Sequence, residues 1–476
     1  MTDKSGNRSK RPIVFKRPLR PETKTFIITS AQNATPVHPG FWDCLQTARK
    51  ALNAELLVVP IRYKNPTSRW TASQKNEESW AAEVTPFLYN HRHALNKNLL
   101  LLGDIKTQPT AADPLSGFES ISGAESAIIA HTKLALRSVA TPASKMAKII
   151  TTTGACTVQN YTDSKAGKKG EFHHALAAII VEVDGPIFHV RHVNYDKKTE
   201  SFTDLETRYK PARAVRAPKP LALVMGDTHV DFIDPKVETA TDEMIAMLEP
   251  AHLIWHDLLD GYAANPHHFG NPFNAFAKRQ SGADDVKKEV FRAIDHIVAK
   301  TPDDTVSVIV SSNHDDFLRR WVVTNDWRED PTNAEFYLAT AWAMIRDTKM
   351  GTGGTEYPSP FPYWLNERLG DKKKFKALGG NESFVLGGVE LGMHGDRGPN
   401  GSRGSAKNLR RIGVRSIIGH SHSPAIEEGC YQVGTSTRLR LEYNSGPSSW
   451  LNAHCLLHAD GKRQLIVIVN GKWRLQ

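Results

Sequence analysis

An α/β fold in two separate regions is what this 476-residue sequence predicts. Three observations carry that expectation. Short apolar runs ending in polar loops alternate with stretches of helical spacing. The texture breaks near Arg216, where VRAPKPL reads as a linker. The length fits two or three domains at about 150 residues each. With 40% hydrophobic and 24% charged residues, the chain can bury sizeable cores. It has no uninterrupted apolar run of about 18 residues, so no membrane span or membrane partner is expected. The first residues, MTDKSGNRSKRPIVFKRPLRP, lack the apolar stretch of a secretory signal. Four cysteines without a CxxC pair fit a reducing compartment and small buried side chains.

The elements follow in order. Residues 1–22 carry seven Lys/Arg against Asp3 and Glu22 and read as a flexible basic tail. Residues 23–216 read as an α/β domain. In it TFIITSAQN, AELLVVPIRY, NLLLLGDI and KMAKIITTT look like strands and their loops, and GFWDCLQTARKALN has helical spacing. KAGKKGEFHH (165–174) reads as a basic loop. Residues 173–196 read as a hairpin with Asp184-Gly185-Pro186 at its turn.

Residues 217–476 read as a second domain with a repeated device. Five apolar runs each end in residues that can bind a metal. LALVMGDTH ends in Asp227 and His229. AHLIWHDLLD leads to Asp257. TVSVIVSSNHDD ends in Asn313, His314 and Asp315. SFVLGGVELGMHGD ends in His394, and VRSIIGHSHS ends in His420 and His422. The C-terminal edge of strands in α/β sheets is where ligands bind. Singly, a histidine after a strand is more often structural than a ligand. It is the ordered set that points to a metal centre. Mixed imidazole and carboxylate donors suit Mn, Fe, Zn or Ni better than Ca. Two such cations about 3.5–4 Å apart can activate water and clamp the oxygens of a phosphoryl displacement. An extended His-x-His would send both rings to one face, within reach of two neighbouring metals.

In this order the motifs resemble the calcineurin-like metallophosphoesterase superfamily, whose pattern runs D-x-H, G-D-x-x-D-R, G-N-H-D/E, a later His and G-H-x-H. The resemblance covers about residues 221–476. It implies a two-sheet β sandwich flanked by helices, preceded here by the separate α/β domain. It also implies that Asp227, His229 and His422 hold one metal, Asp257 bridges, and Asn313, His394 and His420 hold the other. His314 would face the substrate, steady the phosphoryl oxygens and protonate the leaving group, with Asp315 orienting it. Three positions depart from the pattern. Gly261 stands where the family has arginine, and His256 and Ser312 replace the leading glycines.

Substrate class is read from charge. The net charge is +10, which suggests a polyanionic partner, DNA first. Between His394 and His420, residues 397–415 carry Arg397, Arg403, Lys407, Arg410, Arg411 and Arg415 and no acid, as a phosphate-tracking loop would. A solvated basic surface loop is the plainer alternative. GYAANPHHFGNPFNAFAKRQSG (261–282) interleaves aromatics with His267, His268 and two cations, a composition that suits stacked bases or an ordinary loop anchor. Residues 317–385 read as a helical insert capping the site, with AEFYLATAWAMIRD an amphipathic helix. Three functions are carried forward: a metal-dependent DNase with two divalent ions (Mn first, then Fe, Zn, Ni or Mg); a phosphomonoesterase or nucleotide phosphohydrolase acting on small substrates; and a nucleic-acid-binding protein with a vestigial site. The basic balance and extra domain favour the nuclease-like branch. SAQNATPVH and PIRYKNPTS resemble segments of large-phage early proteins that degrade host DNA, which implies the host cytoplasm. The sequence leaves homo-oligomerisation open.

Overall fold

A computed structural model describes residues 13–62, 67–70, 78–142, 144–265, 268, 271–352, 354–370, 372–441 and 444–475. The chain divides into two compact units. One runs to residue 136 and takes in 148–216 and Leu475. The other comprises 137–147 and 217–474.

The first unit is built on strand Thr25–Gln32. It pairs in parallel with Glu55–Ile61 and antiparallel with Ala177–Asp184. Ala177–Asp184 turns through Gly185 into Ile187–Asn194, the hairpin its Asp-Gly-Pro turn predicts. Every residue of Glu55–Ile61 is buried, which is why it reads as an unbroken run with no alternation. Helix Pro39–Ala51 buries Phe41, Trp42, Leu45 and Ala48 in a core with Val58, Phe202 and Tyr209. Strands Leu99–Leu102, Ser126–Ile129 and Lys148–Thr152 run parallel, with Arg92–Asn96 antiparallel at the edge. Deep in this unit the Arg191 guanidinium forks onto Asp204 at 2.8 and 3.0 Å and reaches Glu182 at 2.8 Å.

Two expectations for this unit are corrected. The segment from residue 13 to 22 is no free tail. Asn90 receives the Phe15 N–H at 2.8 Å and donates to the Ile13 carbonyl at 2.7 Å. Arg17 and Arg20 both pair with Glu55, at 2.8 and 2.9 Å. The first twelve residues lie outside the described ones, as do 63–66 of PIRYKNPTS. The basic stretch at 165–174 is not a loop but helix Lys165–His173, capped by the Ser164 hydroxyl. Its glycines disguise it and are needed. A Cβ on Gly170 would meet the Tyr161 ring at 2.6 Å, and one on Gly167 the Thr162 carbonyl oxygen.

The second unit is a two-sheet α/β core flanked by helices. One sheet has the order Phe375–Ala377, Val306–Ile309, His252–Trp255, Ala222–Val224, Asn452–Leu457, Arg463–Ile468. Its first four strands are parallel and the last two antiparallel. Helices Pro235–Leu248 and Val286–Lys300 each bury one apolar face, in the second case Val286, Val290, Ala293, Ile294 and Ile297. The other sheet includes Val389–Glu390, Ser416–Ile418, Cys430–Gln432 and Ala425–Glu427.

Three readings change here. The insert at 317–385 holds helices Phe317–Thr324, Ala334–Asp347 and Pro360–Leu369, but also strand Phe375–Ala377, which forms the edge of the first sheet. The run SFVLGGVEL is folded back on itself, because Gly387 and Gly388 take φ of +55° and +70° and turn it into a small hairpin. Residues 261–282 contain helix Pro272–Ser281, started by the Asn271 side chain, and His267 lies outside the described residues. All four cysteines are buried free thiols. Among the described residues no helix is long and apolar enough to cross a membrane.

Buried imidazoles give the fold a pH limit. Burial pushes His131, His174 and His192 in the first unit and His454 in the second down to about 4. Unfolding returns each to about 6.5, so between these values the unfolded chain binds more protons. Their contribution is complete above pH 6.5 and is lost as pH falls towards 4. We expect the urea midpoint to drop steeply from pH 6.5 to 4.5, with a smaller drop in the His192→Gln variant.

Candidate metal centre

The site is assembled at the C-terminal ends of the parallel strands of the second unit. Ala222–Val224 delivers Asp227 and His229, His252–Trp255 delivers Asp257, and Val306–Ile309 delivers Asn313 and His314. From the other sheet, Val389–Glu390 leads to His394 and Ser416–Ile418 to His420 and His422. Four of these residues, His229, Asp257, His420 and His422, have φ of +42°, +43°, +78° and +57°. That left-handed backbone costs a non-glycine residue about 1 kcal/mol or more, and such strain gathers at functional sites. The His-x-His segment therefore bends at both histidines and is not an extended strand, and its two rings take different partners.

His422 Nε2 lies 3.2 Å from Asp227 Oδ2 and 3.1 Å from His229 Nε2. His420 Nδ1 lies 3.1 Å from Asn313 Oδ1, and its ring is 5.3 Å from that of His394. Asp257 Oδ2 connects the halves, 3.2 Å from His394 Nε2 and 3.7 Å from His229 Nε2. All seven residues expected to be ligands thus come together. Two triads have ligand atoms within 4.8 Å of one another: Asp227, Asp257 and His394, and His229, Asp257 and His314. Asp257 belongs to both.

The donors fit cations better than they fit each other. Asp227, His229, Asp257 and His394 are at most 2% exposed. Both carboxylate oxygens of Asp227, Oδ1 of Asp257, Nε2 of His394 and Nδ1 of His422 are buried without a hydrogen bond of ordinary geometry. Leaving so many polar atoms unsatisfied is expensive, and in native sites it marks an unseen partner. The electrostatics agree. Burial pulls His229 down, but Asp260, Asp257 and Asp227 outweigh it and push it up to about 9. Burial likewise opposes His394, which Asp257 and Asp227 push up to about 9. Burial also opposes ionisation of Asp257, which His394, His314 and His229 nonetheless hold well below the usual carboxylate range. The raised imidazoles and the lowered carboxylate share one cause, a buried pocket whose carboxylates demand positive charge.

The surroundings fix these side chains. Asp260 Oδ1 lies 3.2 Å from His229 Nδ1, and the Asp260 carbonyl accepts the His314 Nδ1–H at 2.7 Å. A carboxylate behind a ligand histidine sets its tautomer and orientation. The Asp227 carbonyl receives the Ser436 N–H at 2.8 Å and the Thr435 hydroxyl at 2.9 Å. His454, neutral, accepts the Gly226 N–H at 2.9 Å. The spacing to Asp260 was visible in the sequence. Thr435, Ser436 and His454 gave no signal, because their contacts cross more than two hundred residues.

Asp315 departs from its expected place. Its Oδ1 accepts the Leu259 N–H at 3.1 Å, and its own N–H goes to the Ser312 hydroxyl at 3.1 Å. It braces the strand-end loops, while Asp260 is what orients His314. Of the six basic residues at 397–415, Arg397, Arg403, Lys407, Arg411 and Arg415 are exposed. Arg410 is instead half-buried and paired with Glu427 at 2.8 Å. Nor is this segment simply a loop. Helix Ala406–Leu409 anchors it by burying Ala406 and Leu409 against Ile418 and Cys430.

Comparison with known proteins places the chain. It is 30% identical over 468 residues, 94% of its own length and 83% of the relative's, to Protein A1 of Escherichia phage T5. The chain belongs to the Protein A1 family. No family model matches it. A solved structure, Vps29 of Chaetomium thermophilum, is 13% identical and covers 39% of this chain and 97% of its own, with a TM-score of 0.21, too low to carry an argument.

The tightest joint in the site is Gly419, where a Cβ would stand 2.2 Å from Asp227 Oδ1 and 3.0 Å from the His256 ring. We expect Gly419→Ala to displace the Asp227 carboxylate and to lower the melting temperature, whereas Gly379→Ala, where a Cβ meets only the Glu382 carboxylate at 4.0 Å, should leave the site intact. Calorimetry and a crystal structure of each variant check this.

Proposed function

We propose that this protein is a dinuclear metallophosphoesterase that hydrolyses DNA phosphodiesters, acting in the cytoplasm of a phage-infected cell. The observation that carries the reading is that the buried Asp257 carboxylate lies between the two expected ligand sets, 3.2 Å from His394 Nε2 and 3.7 Å from His229 Nε2. Asp227, His229 and His422 would hold one cation and Asn313, His394 and His420 the other, with Asp257 between them. Mn is the first candidate, with Fe, Zn, Ni or Mg the alternatives. When bound, such a pair lowers the pKa of water and neutralises charge on the phosphoryl oxygens.

The remaining chemistry falls to the chain. His314 donates its Nδ1–H to the Asp260 carbonyl, which leaves Nε2 to carry a proton to the departing oxygen. The Asp260 carbonyl, still accepting, stabilises the imidazolium before transfer. The net charge of +10 and the exposed cations at 397–415 support DNA over a small phosphomonoester. Mn²⁺ with linear DNA, circular DNA and a chromogenic phosphomonoester, assayed in parallel, tests the choice.

Two outcomes are expected. Asp257→Asn should lose both equivalents of bound metal by elemental analysis, whereas His314→Ala should keep them and lose turnover by roughly 10²–10⁴-fold. Loss of metal in His314→Ala would make that residue a ligand. Replacing Arg403, Lys407, Arg411 and Arg415 together with Ser should weaken DNA cleavage. It should also flatten the dependence of log affinity on log salt by about 0.9 for each phosphate no longer neutralised. Hydrolysis of a small phosphodiester should not change. Arg410→Ser should lower stability instead, because it leaves the half-buried Glu427 with Arg137 at 3.3 Å in place of two guanidinium partners.

A further inference from the structure

The first unit carries a cationic groove that the site chemistry does not use. Strands Thr207–Lys210 and Arg213–Arg216 form a hairpin with Arg208, Lys210, Arg213 and Arg216 and no acid between residues 207 and 216. The second strand is exposed at all four residues and lies at the edge of its sheet. Lys210 and Arg213 are directly opposite one another in the register. Like charges placed so repel, and a protein retains them where something else benefits. At the hairpin tip Ala212 holds φ of +63°, a strained value for alanine.

Against this hairpin, helix Pro39–Ala51 closes a groove of about 650 Å³ lined by Asp43, Gln46, Thr47, Lys50, Pro211 and Arg213, among others. Lys50, Lys210 and Arg213 have no ion pair among the described residues, whereas Arg292, Lys300 and Arg368 on the second unit each sit on a carboxylate. Gln46 Nε2, a donor, is buried in the groove wall without a partner. Asp43 is the one acid in the lining. Unpaired cations, a spare N–H donor and a hydroxyl around an open groove suit phosphate oxygens.

We propose that this groove binds the phosphate backbone of DNA, so that the first unit holds the substrate the second one cleaves. This rests on the nuclease reading above. The test uses the full-length protein with Ca²⁺ in place of Mn²⁺ and a labelled 30-base-pair duplex, followed by anisotropy from 50 to 300 mM salt. Lys50→Gln, Lys210→Gln and Arg213→Gln combined should weaken binding at least tenfold. The log–log salt slope should fall by two to three, at about 0.9 for each phosphate no longer neutralised. Cleavage of a small phosphodiester should be unchanged. The melting temperature without DNA should hold or rise, because the opposed Lys210–Arg213 pair is relieved, which separates weaker DNA binding from unfolding. Unchanged affinity and slope in a variant of a DNA-binding wild type would overturn the groove alone. Competition by millimolar inorganic phosphate equal to that by the same phosphate concentration as duplex would make it a site for free anions and overturn the DNA assignment. A wild type that neither binds nor cuts DNA would overturn the nuclease reading and this inference together.

Discussion

The second unit is organised around two buried carboxylates that cannot satisfy each other. Asp227 and Asp257 are almost wholly excluded from water and share their space with His229, His394 and His422. Burying a carboxylate without compensation is prohibitive, so the surrounding chain has to bring positive charge to this point. Everything nearby follows from that demand. Strand ends converge there, Gly419 leaves room for Asp227 by having no side chain, and four residues accept left-handed backbone to aim their side chains.

A second layer of contacts makes the convergence rigid. Asp260 serves two imidazoles at once, its carboxylate beside His229 and its carbonyl under His314. Asp260 is followed by Gly261, where the superfamily pattern has arginine. A Cβ there would stand 2.2 Å from the Phe317 ring, which in turn packs against His314 at 4.8 Å. The nearby guanidinium is that of Arg320, which donates to the Asn313 carbonyl at 2.7 Å and stacks over Phe317 at 4.1 Å. Arg320 thus braces the loop that carries Asn313 and His314.

Cations that looked alike in the sequence divide by context. Arg17, Arg20, Arg191 and Arg410 are engaged by Glu55, by Glu182 and Asp204, and by Glu427. Arg403, Lys407 and Arg411 stay exposed. The formal charge of +10 already counts such pairs as neutral, so the excess of cations resides in exposed residues of this second kind.

The sequence by itself determined which residue types converge in the second unit and the strand ends that carry them. Both are local: an apolar run buried on both faces must stop at a polar loop, and the loop residues are then read directly, as at Asp227, Asp257, Asn313 and His420. It also determined the Asp-Gly-Pro hairpin and helix Pro39–Ala51, where turn chemistry and 3.6-residue spacing leave little choice. It misjudged 165–174 and 261–282, because glycine and proline read as loop signals when the reason for them, close approach to Tyr161 or a helix start at Asn271, lies outside the segment. Only the tertiary structure decided that Asp260 and not Asp315 orients His314, that Arg410 is an ion-pair partner, that Phe375–Ala377 completes a sheet, and that Thr435, Ser436 and His454 hold the Asp227 loop. Each of these depends on which atoms meet across a long stretch of chain, and residue type and spacing carry no record of that distance.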